Sequence, residues 1–206
     1  MKFLKWFKNP DQDQGPGGWW IMLIALLFTA ACTGLAMITK NELYVNLSPY
    51  MAICFIAFGI ECLIHTLINI GRLPGWGFNL LPALLCIFFG VMMMIFEAME
   101  DRILAFYVGY GLLSAGLMLI SYAFSIKQIN GFYWIPVMIV GSVTEVPACM
   151  LLFYPIHQTF SILGWTQTGF VLLSVGTLVL AVVMFLQQRA IQKNSRRVAV
   201  RGRSFL

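Results

Sequence analysis

Residues Pro49–Gly71 read PYMAICFIAFGIECLIHTLINIG, and the fold turns on this stretch. About 20 apolar residues in an α-helix, each rising 1.5 Å, cover the roughly 30 Å hydrocarbon core of a bilayer. Glu61 and His65 interrupt the run one helical turn apart. A lone carboxylate near the middle of a span costs about 2.5 kcal/mol or more, so the rest of the chain has to accommodate it.

The composition extends this reading to the whole chain. Its 206 residues are 60% hydrophobic and only 10% charged, with a mean hydropathy of +0.85. Too few polar residues remain to cover a soluble globule, which predicts a polytopic membrane protein. Apolar segments run approximately over 19–39, 47–70, 78–96, 103–124, 132–153 and 165–186. Only helices and closed barrels satisfy their backbone in lipid, and these runs lack the alternation of barrel strands. The expected fold is therefore an all-α integral membrane protein of six transmembrane helices. Residues 1–18, MKFLKWFKNPDQDQGPGG, mix Lys2, Lys5 and Lys8 with aromatic side chains and predict a surface-lying cytoplasmic segment. Residues 19–187 form the membrane domain and 188–206 a basic tail.

The basic residues set the expected orientation. The N-terminal segment, the loop with Arg72, the loop with Lys127 and the C-terminal tail hold 11 of the 13 Lys and Arg. Excess basic charge marks cytoplasmic loops, which puts both termini in the cytoplasm. Six of the basic residues lie between Arg189 and Arg203, next to the last span. The partner this implies is anionic lipid headgroups rather than nucleic acid. A homo-oligomer is compatible with so small a bundle.

Internal spacing divides the spans into hairpins. Trp20, Trp76 and Trp134 recur at intervals of 56 and 58, and the fourteenth residue after each is small: Gly34, Gly90 and Ala148. In the even spans Gly59, Gly116 and Gly176 recur at intervals of 57 and 60. Small residues at matched depth let helix backbones approach, so these glycines are the expected packing positions. The result is three repeated hairpins, over about 19–70, 76–125 and 132–187. In this register Glu61 corresponds to Met118 and Leu178, and His65 to Tyr122 and Val182.

Six short spans in three hairpins, with a Trp opening each odd span and Gly at mid-span, resemble the HdeD family of bacterial acid-resistance membrane proteins. The likeness covers nearly the whole membrane domain. It implies an inner-membrane stress-response protein contributing to acid resistance, and it supplies no mechanism or site residues. The Glu61/His65 pair, the Glu145-Val146-Pro147 step and the long basic tail lie outside the family pattern.

Ionisable residues inside the spans are the remaining candidates. Glu61 and His65 share a helix face with Asn69 one turn further on, and a direct hydrogen bond between the first two would neutralise the pair's cost. Glu145 sits in the fifth span beside Pro147, whose ring removes a helix hydrogen bond and predicts a kink. If the second and fifth helices were neighbours, Glu61, His65, Asn69 and Glu145 would line one proton or ion site. That is the alternative function, a small proton-coupled transporter or channel, and a membrane assembly or scaffold protein is a further one. His157, in the outer loop YPIHQTF, would gain charge as the exterior falls below about pH 6.5 and is a candidate pH sensor.

Enzymatic activity is not expected. The two histidines lie on opposite sides of the midplane, E-x-x-x-H alone is not a metal pattern, and no Gly-rich loop follows a strand. The five cysteines all sit in apolar runs without a C-x-x-C spacing. They read as small buried apolar residues, and no metal or cofactor is implied.

Overall fold

The computed structural model describes residues 17–38, 44–70, 72–96, 100–129, 132–154 and 161–203. Those residues form six α-helices and no strand: α1 (Trp19–Ile38), α2 (Ser48–Ile68), α3 (Trp76–Ile95), α4 (Asp101–Ile129), α5 (Trp134–Phe153) and α6 (Ile162–Arg203). A short 3₁₀ turn, Tyr44–Leu47, leads into α2, and Pro49 sits in the first turn of α2, where its missing N–H has no role. Helices α2 to α6 are long and apolar enough to cross a bilayer, and the apolar stretch of α1, Trp19–Leu35, is shorter. The protein is an all-α integral membrane protein.

The helices follow one another around a closed ring, with α6 returning to α1. Inside the ring α4 also touches α2 and α6. The even helices are therefore the inner ones. Half or more of the residues in the apolar windows of α2, α4 and α6 are buried, against a third in α3 and α5. The axis between them is filled. The rings of Phe55 on α2 and Phe170 on α6 lie 5.5 Å apart, a Cβ on Gly111 of α4 would fall 2.6 Å from Phe55, and Leu112 presses on Gly169.

Each odd helix packs more extensively on the even helix before it than on its own hairpin partner: α3 on α2, α5 on α4, and α1 on α6. The closest approaches thus join neighbouring hairpins. At the α2/α3 crossing the contact is reciprocal. A Cβ on Gly59 would meet the Ala83 carbonyl at 2.8 Å and Ile87 at 2.7 Å, and one on Gly90 would meet the Ala52 carbonyl and Ile56 at the same distances. At the α4/α5 crossing Gly109 faces Ala148 at 3.1 Å, and Gly116 faces Gly141 and Glu145. These are the backbone approaches that small residues permit in lipid. Gly176 meets Leu119 and Val140 instead.

One expectation changes. Gly34 is not a packing glycine, since an added Cβ there would meet nothing within 4 Å. Where α1 meets α6, hydroxyls do the joining: Thr33 to Ser174 at 3.0 Å and Thr29 to Thr177 at 3.5 Å. α6 continues into the basic tail as far as Arg203, 42 residues in all. Nothing between Leu186 and Arg201 breaks a helix, and Gln, Arg, Ala and Lys favour one.

Candidate functional site

The polar residues of α2 are drawn into a network at the end of the bundle where α1 begins. His65, Thr66 and Asn69 are all fully buried there. Gly18, at φ +80°, takes the left-handed turn that starts α1, and Ile21 N–H donates to its carbonyl at 2.9 Å. That turn carries Gly17 onto Asn69. Gly17 N–H donates to Asn69 Oδ1 at 2.8 Å, and Asn69 Nδ2 donates to the Gly17 carbonyl at 2.9 Å and the His65 carbonyl at 2.8 Å. A side chain at Gly17 would crowd the Arg72 guanidinium at 3.4 Å.

His65 sits against this knot: its Nε2 lies 3.3 Å from Asn69 Nδ2, and its Nδ1 shares a hydrogen bond with Tyr122 Oη at 3.0 Å. Tyr122, fully buried on α4, passes its own proton to Thr66 Oγ1 at 3.1 Å or the Cys62 carbonyl at 3.4 Å. The chain of bonds ties the entry of α1, the end of α2 and the later part of α4 together.

The expected Glu61–His65 bond does not form. The ring turns to Tyr122 and Asn69 instead, and Glu61 Oε2 is buried without a hydrogen-bond partner. The i, i+4 spacing put both residues on one flank of α2, but the imidazole is turned toward α4, where Tyr122 Oη lies 3.0 Å from Nδ1. Tyr122 and Gly17 were missed in the sequence. The signal for Tyr122 was available, since it occupies the position of His65 in the next hairpin and a buried tyrosine needs a partner for its hydroxyl.

Glu145 stands elsewhere. The α2 and α5 helices do not form a packed pair, so Glu145 joins neither Glu61 nor His65. Its Oε1, buried and without a partner, lies against Gly116 of α4. In the repeat Gly116 matches Gly59, and Ile87 presses on Gly59 as Glu145 presses on Gly116. Glu145 thus occupies an aliphatic packing position. Pro147 is buried within α5, which runs through it from Trp134 to Phe153. His157 lies outside the described residues.

Among the described residues no three His, Cys, Asp or Glu side chains converge on a metal-sized site. Lys127 of α4 stands above Trp134 of α5 at 4.8 Å, and within α6 Arg189 stands above Phe185 at 4.3 Å. No protein-family model, curated protein or solved structure matches the chain.

Proposed function

We propose that the chain is a non-enzymatic, HdeD-like inner-membrane protein that contributes to survival in external acid, with the His65 network as its acid-responsive joint. The observation that carries this reading is a buried histidine at the joint of α1, α2 and α4: its ring nitrogens lie 3.0 Å from Tyr122 Oη and 3.3 Å from Asn69 Nδ2, and Asn69 in turn holds Gly17 at the entry of α1. Both termini lie in the cytoplasm, a placement supported by the 11 of 13 basic residues on that side. The basic residues carried on the extended α6 then meet anionic headgroups.

The test is survival at low external pH of cells lacking the protein, complemented with wild type, His65→Asn or Tyr122→Phe. The expected result is loss on deletion, rescue by wild type and poor rescue by either variant. Equal survival with and without the protein removes the acid role.

A second reading, proton or ion transfer, draws support from the unpartnered buried oxygens of Glu61 and Glu145. The two carboxyls belong to separate helix interfaces and the bundle axis is filled, so transfer would use one of them alone. Proton flux in proteoliposomes, compared between wild type, Glu61→Gln and Glu145→Gln, tests it. Wild-type vesicles no leakier than empty ones eliminate this reading.

A further inference from the structure

A groove of about 570 Å³ opens between α3 and α4, at the end where α4 finishes and α3 starts. Its volume falls within the roughly 300–1,000 Å³ of small-molecule sites. Pro74 and Gly75 form its rim, and the φ of +72° at Gly75 turns the chain into α3. Phe78 and Leu81, 80% and 64% exposed, and Leu117 and Phe124 make apolar walls. Both helices have the length and apolarity of membrane spans, so the groove opens toward lipid.

Its polar groups are ordered by depth. Ser121, Ser125 and Gln128 form one stripe of α4, with Gln128 in the last turn. Ser121 lies roughly 10 Å deeper at 1.5 Å per residue. Polar atoms thus occupy the interfacial end and hydrocarbon the inner end, the order of a lipid standing in one leaflet. Every lining side chain is uncharged. The hydroxyl protons are already committed, because Ser121 Oγ donates to Asn79 Oδ1 and Ser125 Oγ donates to the Ser121 carbonyl at 3.2 Å. What both hydroxyls have left to offer is lone pairs, so at Ser121 and Ser125 the groove accepts hydrogen bonds. Asn79, joined to Ser121, is fully buried with its Nδ2 unpartnered, an amide that packing alone does not explain.

We propose that this groove binds a membrane lipid whose uncharged head carries a free hydroxyl, a diacylglycerol-type amphiphile. The head hydroxyl donates to Ser121 or Ser125, and an acyl chain follows Phe78, Leu81 and Leu117. A phosphate head would find no cation among the lining residues.

The experiment uses the full chain in phosphatidylcholine nanodiscs with a diacylglycerol bearing a diazirine in its acyl chain, beside the methyl ether of the same probe. Labelled peptides are identified by mass spectrometry. The free-hydroxyl probe is expected to label 74–82 and 117–128 about fivefold more than the ether, the worth of one hydrogen bond. In Ser121→Ala/Ser125→Ala the two probes become equal, and Leu117→Trp, which fills the groove, removes labelling there. Equal labelling of wild type by both probes overturns the proposal. So does labelling spread evenly over the outward faces of α3, α4 and α5, or displacement of the probe by phosphatidylcholine as readily as by unlabelled diacylglycerol.

Discussion

His65 Nδ1 and Tyr122 Oη lie 3.0 Å apart, joining two positions that correspond to each other in successive hairpins. The third equivalent, Val182, is 48% exposed and takes no part. The bond therefore belongs to the first two hairpins and to the buried joint between α2 and α4. Tyr122→Phe keeps the ring and removes the hydroxyl, leaving a buried imidazole nitrogen without that partner. The expected loss is about 1–3 kcal/mol of unfolding free energy. Denaturant titration in detergent micelles measures it, and an unchanged midpoint would show that the bond adds nothing to stability.

Glycine substitutions separate real crossings from incidental small residues. A Leu at Gly59 or Gly90 meets backbone on the facing helix, where overpacking costs about 1–3 kcal/mol or more. A Leu at Gly34 meets open space and should change stability by no more than about 0.5 kcal/mol. Thermal unfolding of the three variants under one detergent condition makes the comparison. Similar losses at all three positions would mean that helix propensity, not contact, governs the effect.

Glu145 offers the opposite sign. It fills a slot that Ile87 fills at the equivalent crossing, and its Oε1 is buried unpaired. Glu145→Ile should raise stability by about 1 kcal/mol, since an apolar group of similar shape removes an unpaired polar burial. A lower melting temperature for this variant would indicate that the carboxyl has a partner in the membrane.

Much of the architecture was legible in the chain. Five of the six apolar runs predicted a helix to within about five residues at each end, because spanning lipid leaves the backbone no other solution and loop polarity marks the ends. The helical continuation of α6 into the basic tail was not legible, as charge says where a segment lies and not whether its backbone stays helical. Gly59, Gly90 and Gly116 were legible as packing sites, since a missing side chain at matched depth has few other uses in a span. Gly34 carried the same signal, yet α1 meets its neighbours through Thr29 and Thr33. That choice depends on how α1 is rotated about its axis, which spacing within one helix does not encode.

By itself the sequence determined that the protein is a bundle of membrane helices, because length and hydropathy set the solvent and the solvent sets the backbone. It also determined that Glu61, His65, Asn69 and Glu145 would be polar groups in an apolar medium needing partners. Tertiary structure alone decided which partners they took. His65 turned to Tyr122, 57 residues away, rather than to Glu61 four residues away. Glu145 was set against Gly116 from α5, which does not form a packed pair with the helix that carries Glu61. The physical reason is that a helical repeat fixes which residues share a face, while the direction of that face is fixed only when the neighbouring helices close around it.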